Sequence, residues 1–143
     1  MAAVWLIGVC SGALALSATC HRLLARRLIV VSIHGLSMLP TYSPGDRVLV
    51  RRGTKPGRGK VVVVEPSHDG WPPGVPVPPW LIKRVAAVPG DRVAGRGYGD
   101  TEDGTVPAGM LFLLGDNSKL SMDSRQMGLF STRQLLGTVV CKL

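Results

Sequence analysis

Residues 2–20, AAVWLIGVCSGALALSATC, carry no charged side chain over 19 positions. At about 1.5 Å per residue, a helix of that length reaches about 28 Å, close to the hydrocarbon thickness of a bilayer. A helix buried in a soluble core would show a polar stripe, and this run shows none. A cleaved leader is the competing reading, but no Lys or Arg precedes the apolar run and no clear cleavage site follows it. The pattern therefore predicts a retained transmembrane helix. Beyond it the period changes. LIVVSIH at 28–34 is rich in β-branched residues and predicts a strand, broken by Gly35 and Pro40. RVLVRR at 47–52 alternates apolar and basic side chains, a strand with one wet face. After the turn-rich GTKPGRGK comes VVVVE at 61–65, another strand. Six prolines between Pro66 and Pro79 exclude a helix or central strand there and predict a surface loop. WLIKRVAAV at 80–88 is a fourth apolar run, ended by Pro89-Gly90-Asp91, and 92–109 is a Gly- and Asp-rich loop or hairpin. MLFLLG at 110–115 predicts a buried strand, and LLGTVVCKL closes the chain. The sum is a mainly β, antiparallel domain of roughly 115 residues behind one N-terminal helix. Residues 1–27 form the predicted membrane anchor and basic flank, and 28–143 the domain.

Composition sharpens this division. With 143 residues, 45% hydrophobic and 18% charged, wholesale disorder is excluded. Eighteen Gly and 11 Pro argue against a helical bundle. A positive mean hydropathy beside a net charge of +8 means that the apolar excess is concentrated, and 2–20 holds much of it. His21, Arg22, Arg26 and Arg27 follow the apolar run, so the positive-inside rule would put the domain in the cytoplasm. Arg47, Arg51, Arg52, Lys55, Arg58 and Lys60 place six basic residues within 14 positions, opposed only by Asp46. Such a run could attract anionic lipid or nucleic acid. Without interleaved aromatics it reads as a solvated basic face, with lipid headgroups rather than nucleic acid as its partner. Three Cys are too few for a disulfide scaffold. Cys10 and Cys20 would stand about 15 Å apart along a helix, too far to pair.

Three short blocks are neither strand nor generic loop: GLSMLPT at 35–41, Lys83-Arg84-Val85 with Pro89-Gly90-Asp91, and GDNSKLSMDSRQMG at 115–128. On a strand, Lys83 shares a face with Leu81 and Val85, while Arg84 points the other way with Ile82 and Ala86. A lysine on an apolar face loses hydration, which lowers its pKa and lets it act as a general base near neutral pH. On this run alone a lysine snorkelling at a sheet edge is the competing reading. Ser37 stands at a turn after a strand, where a nucleophile is exposed and its own N–H can face a developing oxyanion. A serine in such a turn also has an ordinary structural reading. No histidine completes a triad: His21 abuts the apolar run, His34 points away from Ser37 by strand parity, and His68 lies in the proline-rich loop. A Ser–Lys pair is the better proposal. No Cys, His or carboxylate cluster has metal-ligand spacing, so neither a metal nor another cofactor is expected.

In this order behind an apolar run, the blocks resemble those of type I signal peptidases, membrane-bound serine proteases with a Ser–Lys dyad and a mainly antiparallel β fold. The resemblance implies Ser37 as nucleophile and Lys83 as general base. It also implies that Ser121 orients the lysine and that Asp123 and Arg125 form a supporting ion pair, sharing a face if locally extended. Gly35 lies where some relatives carry a serine as second oxyanion donor, so here backbone N–H groups, chiefly that of Ser37, must serve. Substrate pockets are expected near Met38 and the first strand. The lysine sets the chain apart from the endoplasmic-reticulum type, which carries histidine there. Only 92–114 separate the lysine block from the last block, where many relatives insert a subdomain. The implied activity is cleavage of signal peptides from exported preproteins after small residues of Ala-x-Ala type. The implied location is the cell membrane, single-pass, with the catalytic domain outside the cytoplasm. The basic flank motivates an alternative, a propeptide-maturation protease of the same family with a cytoplasmic body. A non-enzymatic membrane-surface binder is a second alternative. Self-cleaving repressors share a related Ser–Lys core, but no helix-turn-helix precedes this domain.

Overall fold

Seven antiparallel strands make one sheet, seen in a computed structural model that describes residues 27–67, 71–93 and 104–143. The predicted span at 2–20 lies outside the described residues. Among those that are described, no helix is long and apolar enough to cross a membrane. The strands are β1 (Leu28–Ser32), β2 (Arg47–Arg51), β3 (Val61–Val64), β4 (Leu81–Ala87), β5 (Met110–Leu114), β6 (Phe130–Ser131) and β7 (Leu135–Lys142). Between β5 and β6 sits a four-residue helix, α1 (Ser124–Met127). A 3-10 turn over Thr132–Gln134 leads into β7. The sheet order is β1-β2-β7-β3-β4-β5-β6, so the last strand inserts between the second and third.

Burial follows from this order. All four valines of β3 are buried, because β7 and β4 flank the strand and both of its faces are covered. Val61 and Val63 join Val31, Ile33, Met38, Val48, Val50 and Ile82 in a first core. Val62 and Val64 join Val85, Leu111, Leu113 and Phe130 in a second core on the opposite face. Each fully buried valine contributes roughly 1.5–3 kcal/mol, and a strand buried on both faces needs no polar alternation. β7 passes close to β2: a Cβ at Gly137 would lie 2.5 Å from the Arg51 carbonyl oxygen, so this strand position requires glycine.

Strand ends fall inside the apolar runs that signal them. β1 stops at Ser32, where pairing with Arg47 ends, yet the Ile33 N–H still donates to the Asp46 carbonyl at 2.8 Å. The basic run divides: Arg47 and Arg51 lie exposed at the two ends of β2, and the other four basic residues belong to the turn before β3. One of them, Arg58, pairs with Asp91 at 2.6 Å.

Candidate active site

Lys83 stands in the middle of β4, opposite Val62 on β3, and is 2% exposed. The register puts it on the second-core face with Leu81 and Val85. Burial strips hydration from its ammonium, which disfavours the charged form. Burial therefore lowers the Lys83 pKa to about 8, with Asp123 opposing that shift and Arg125 adding to it. The amine donates to the Ser121 hydroxyl at 3.2 Å. Ser121 is also hydrogen-bonded to the Asp123 carboxylate.

Asp123 is completely buried and caps α1. The segment is not extended: Asp123 accepts from the Arg125 backbone N–H at 3.2 Å, and the Gln126 side chain accepts from the Asp123 N–H at 3.0 Å. That capping box turns the Arg125 side chain back onto Asp123, Nε to Oδ1 at 2.8 Å and one Nη to Oδ2 at 2.7 Å. Gly115 adds a backbone N–H to Oδ2 at 2.9 Å. Burial raises the Asp123 pKa, but the bonds from Arg125, Gly115 and Ser121 outweigh it and hold the carboxyl at about 2. It stays ionised, and among these groups it can only accept.

Ser37 is half-buried in a turn whose backbone closes through the Leu39 N–H to Leu36 and the Tyr42 N–H to Met38. Its carbonyl accepts from the Asn117 N–H at 2.9 Å. A Cβ built on Gly115 would overlap the Ser121 hydroxyl and lie 2.6 Å from the Ser37 carbonyl oxygen. The first and third sequence blocks therefore meet beside Gly115, and Ser121 links that meeting point to Lys83. Ser37 also lines an apolar groove of about 210 Å³, with Val31 to His34 on one wall and Pro78 to Ile82 on the other. His34 borders the same groove, because strand parity ends with β1 at Ser32. Met38, expected at a pocket, is fully buried in the first core with Val31 and Ile33. Gly35 has φ +84°, a backbone conformation that strains any L side chain, so the local turn accounts for the missing hydroxyl. Among the described residues no three His, Cys, Asp or Glu side chains gather to hold a metal ion.

Three residues inside the blocks acquire partners that no local pattern assigns. Arg84, on the opposite face from Lys83, makes a forked pair with Asp116, Nε to Oδ1 at 2.8 Å and Nη2 to Oδ2 at 2.6 Å. Its third nitrogen donates to the Gly59 carbonyl at 2.9 Å. Asp116 also accepts a short hydrogen bond from the Thr41 hydroxyl. Strand parity gave the face of Arg84, but its acidic partner is 32 residues away and only the β4–β5 pairing brings it near.

One antiparallel sheet thus carries a buried lysine, a serine turn and a capped acid–arginine pair. The family model described as signal peptidase, peptidase S26, matches residues 6–101 and 95–143, and the chain belongs to that family. It is 29% identical over 124 residues to a probable signal peptidase I-1 of Synechocystis sp., an alignment covering 71% of this chain and 63% of that one. It is 33% identical over 104 residues to the mitochondrial ATP-independent inner membrane protease subunit 1b of Arabidopsis thaliana, covering 66% of this chain and 57% of that one. Signal peptidase IB of Staphylococcus aureus is 30% identical over 150 residues, with 76% and 73% of the two chains covered. The chain thus spans about three fifths of the length of the first two relatives.

Proposed function

We propose that the protein is a serine endopeptidase that removes signal peptides from exported preproteins, with Ser37 as nucleophile and Lys83 as general base. One observation carries the reading: a lysine buried to 2% exposure, bonded to Ser121 where the Ser37 turn packs. Neutral Lys83 takes the proton of the Ser37 hydroxyl as its oxygen attacks the scissile carbonyl. The Ser37 N–H faces the oxyanion that forms. The lysinium then protonates the leaving amine, and in the second half Lys83 activates the water that hydrolyses the acyl-enzyme. Ser121 fits an orienting role. Its single proton goes to ionised Asp123, its oxygen accepts from the amine, and the amine lone pair is left for Ser37. The apolar groove beside Ser37 suits an extended segment with small side chains, the Ala-x-Ala pattern.

The test is cleavage of an Ala-x-Ala peptide by the full chain. Ser37→Ala and Lys83→Ala should each lose at least a thousandfold in kcat, and wild-type rates should rise with pH through about 8 as Lys83 loses its proton. Normal turnover in either variant overturns the dyad.

By this reading residues 2–20 anchor the chain in the cell membrane with the domain outside the cytoplasm. Arg22, Arg26 and Arg27 favour the reverse orientation and a dedicated maturation protease. A C-terminal alkaline phosphatase fusion separates the two, since it is active only outside.

A further inference from the structure

All three blocks converge a second time, on the face of the sheet away from Lys83. Asp116 is the meeting point: its two carboxylate oxygens take the forked guanidinium of Arg84, and one of them also takes the Thr41 hydroxyl. The neighbouring Asn117 N–H holds the Ser37 carbonyl at 2.9 Å. Residues 116 and 117 therefore grip the serine turn at two points, Ser37 and Thr41. Arg84 fixes that grip to β4, the strand whose preceding residue is Lys83, and to the Gly59 carbonyl at the head of β3. Fork geometry and a shared oxygen leave the guanidinium and carboxylate little freedom, unlike an exposed ion pair with long mobile side chains.

We propose that Arg84, Asp116 and Thr41 are positioning residues, a clasp that fixes the Ser37 turn against the lysine strand and so sets the separation of nucleophile and base. The proposal rests on the peptidase reading for its catalytic consequence but on the hydrogen bonds alone for its mechanical one. Because Arg84 lies on the face opposite Lys83, the clasp acts on where Ser37 sits and leaves the burial of the lysine unaltered. A misplacement of about 1 Å costs on the order of a hundredfold in rate.

Two measurements on the full chain test it, amide hydrogen exchange of residues 36–42 and steady-state turnover of an Ala-x-Ala peptide. In Asp116→Asn and Thr41→Val, exchange at 36–42 should accelerate at least tenfold while β3 and β4 keep their protection. The kcat should fall ten- to a hundredfold, KM should change less than threefold, and the rise through pH 8 should stay in place. Thr41→Ser, which restores the hydroxyl, should recover both exchange protection and kcat. Unchanged exchange at 36–42 in folded Thr41→Val overturns the clasp, as does loss of kcat that merely tracks loss of protection in β3 and β4. If Ser37→Ala and Lys83→Ala cleave normally, the peptidase reading fails, and the exchange rates still decide whether Asp116 holds the turn.

Discussion

A methyl group at position 115 would occupy the space that Ser121 and Ser37 share. The Gly115 backbone does not lie in the left-handed region, so what demands glycine there is the closeness of two other segments. Gly115→Ala should push the 37 turn and the 121 hydroxyl apart, costing about 1–3 kcal/mol of stability by overpacking. Because Ser121 is the hydrogen-bond partner of Lys83, kcat should fall by more than tenfold beyond the unfolded fraction. Denaturant melts read beside turnover check this, and a variant with wild-type kcat would show that the approach is not needed. Gly35 differs, since nothing lies within 4 Å of its absent Cβ and only its positive φ excludes a side chain. Residue chemistry was legible where it depended on neighbours in sequence. Leu81 and Val85 put Lys83 on an apolar face, and flanking by β3 and β5 decides that it is buried rather than snorkelling at an edge. The partner of Arg84 and the crowding at Gly115 depend on segments brought together only by strand pairing, and no local pattern reports them.

A helix of four residues has no stability of its own, since nucleation alone outweighs the bonds it can make. α1 exists because its first turn is tied to the sheet. Asp123 caps it, and the fully buried Ser124 hydroxyl accepts from the Leu113 N–H of β5 at 2.9 Å. Replacing Ser124 by Ala leaves that buried N–H without its acceptor, which costs about 1–3 kcal/mol. Loosening α1 also frees Asp123 and through it Ser121, so Ser124→Ala should lower kcat although it touches neither Ser37 nor Lys83. A melt shifted with kcat unchanged would confine Ser124 to a structural role. The same scale explains which elements the sequence announced. β1 to β5 lie within apolar or β-branched runs, whereas β7 occupies the closing run LLGTVVCKL, for which the pattern predicts no element. β6 has two residues and α1 four, too few for any period, so both lie within what reads as loop. Sheet order was also illegible, because a strand buried on both faces names no neighbour. β7 reaches its place between β2 and β3 only by complementing both.

Across the whole molecule, the buried lysine couples stability to the same protonation that activity requires. The Lys83 pKa is about 8 in the folded protein against an ordinary 10.5. Between those values the unfolded chain holds a proton that the folded one has released, so folding stability rises with pH through this window. The gain is about 3 kcal/mol at most, and below pH 8 the folded state carries the full cost of the buried charge. The comparison is between wild type and Lys83→Ala, so that every contribution other than that of residue 83 cancels. Urea unfolding at pH 7, 8, 9 and 10 should show the wild type gaining on the variant by roughly 1–3 kcal/mol over that range. Asp123, whose pKa is also lowered, acts in the same sense at the acid end: held at about 2 against 3.8, it contributes stability that persists above pH 4 and is lost as pH falls through 2. Parallel curves for wild type and Lys83→Ala from pH 7 to 10 would mean that Lys83 is as well solvated folded as unfolded. That result would remove the physical basis for a lysine base, whatever the turnover assays gave. A widening gap whose midpoint coincides with the rise in kcat would tie stability and catalysis to one proton on Lys83.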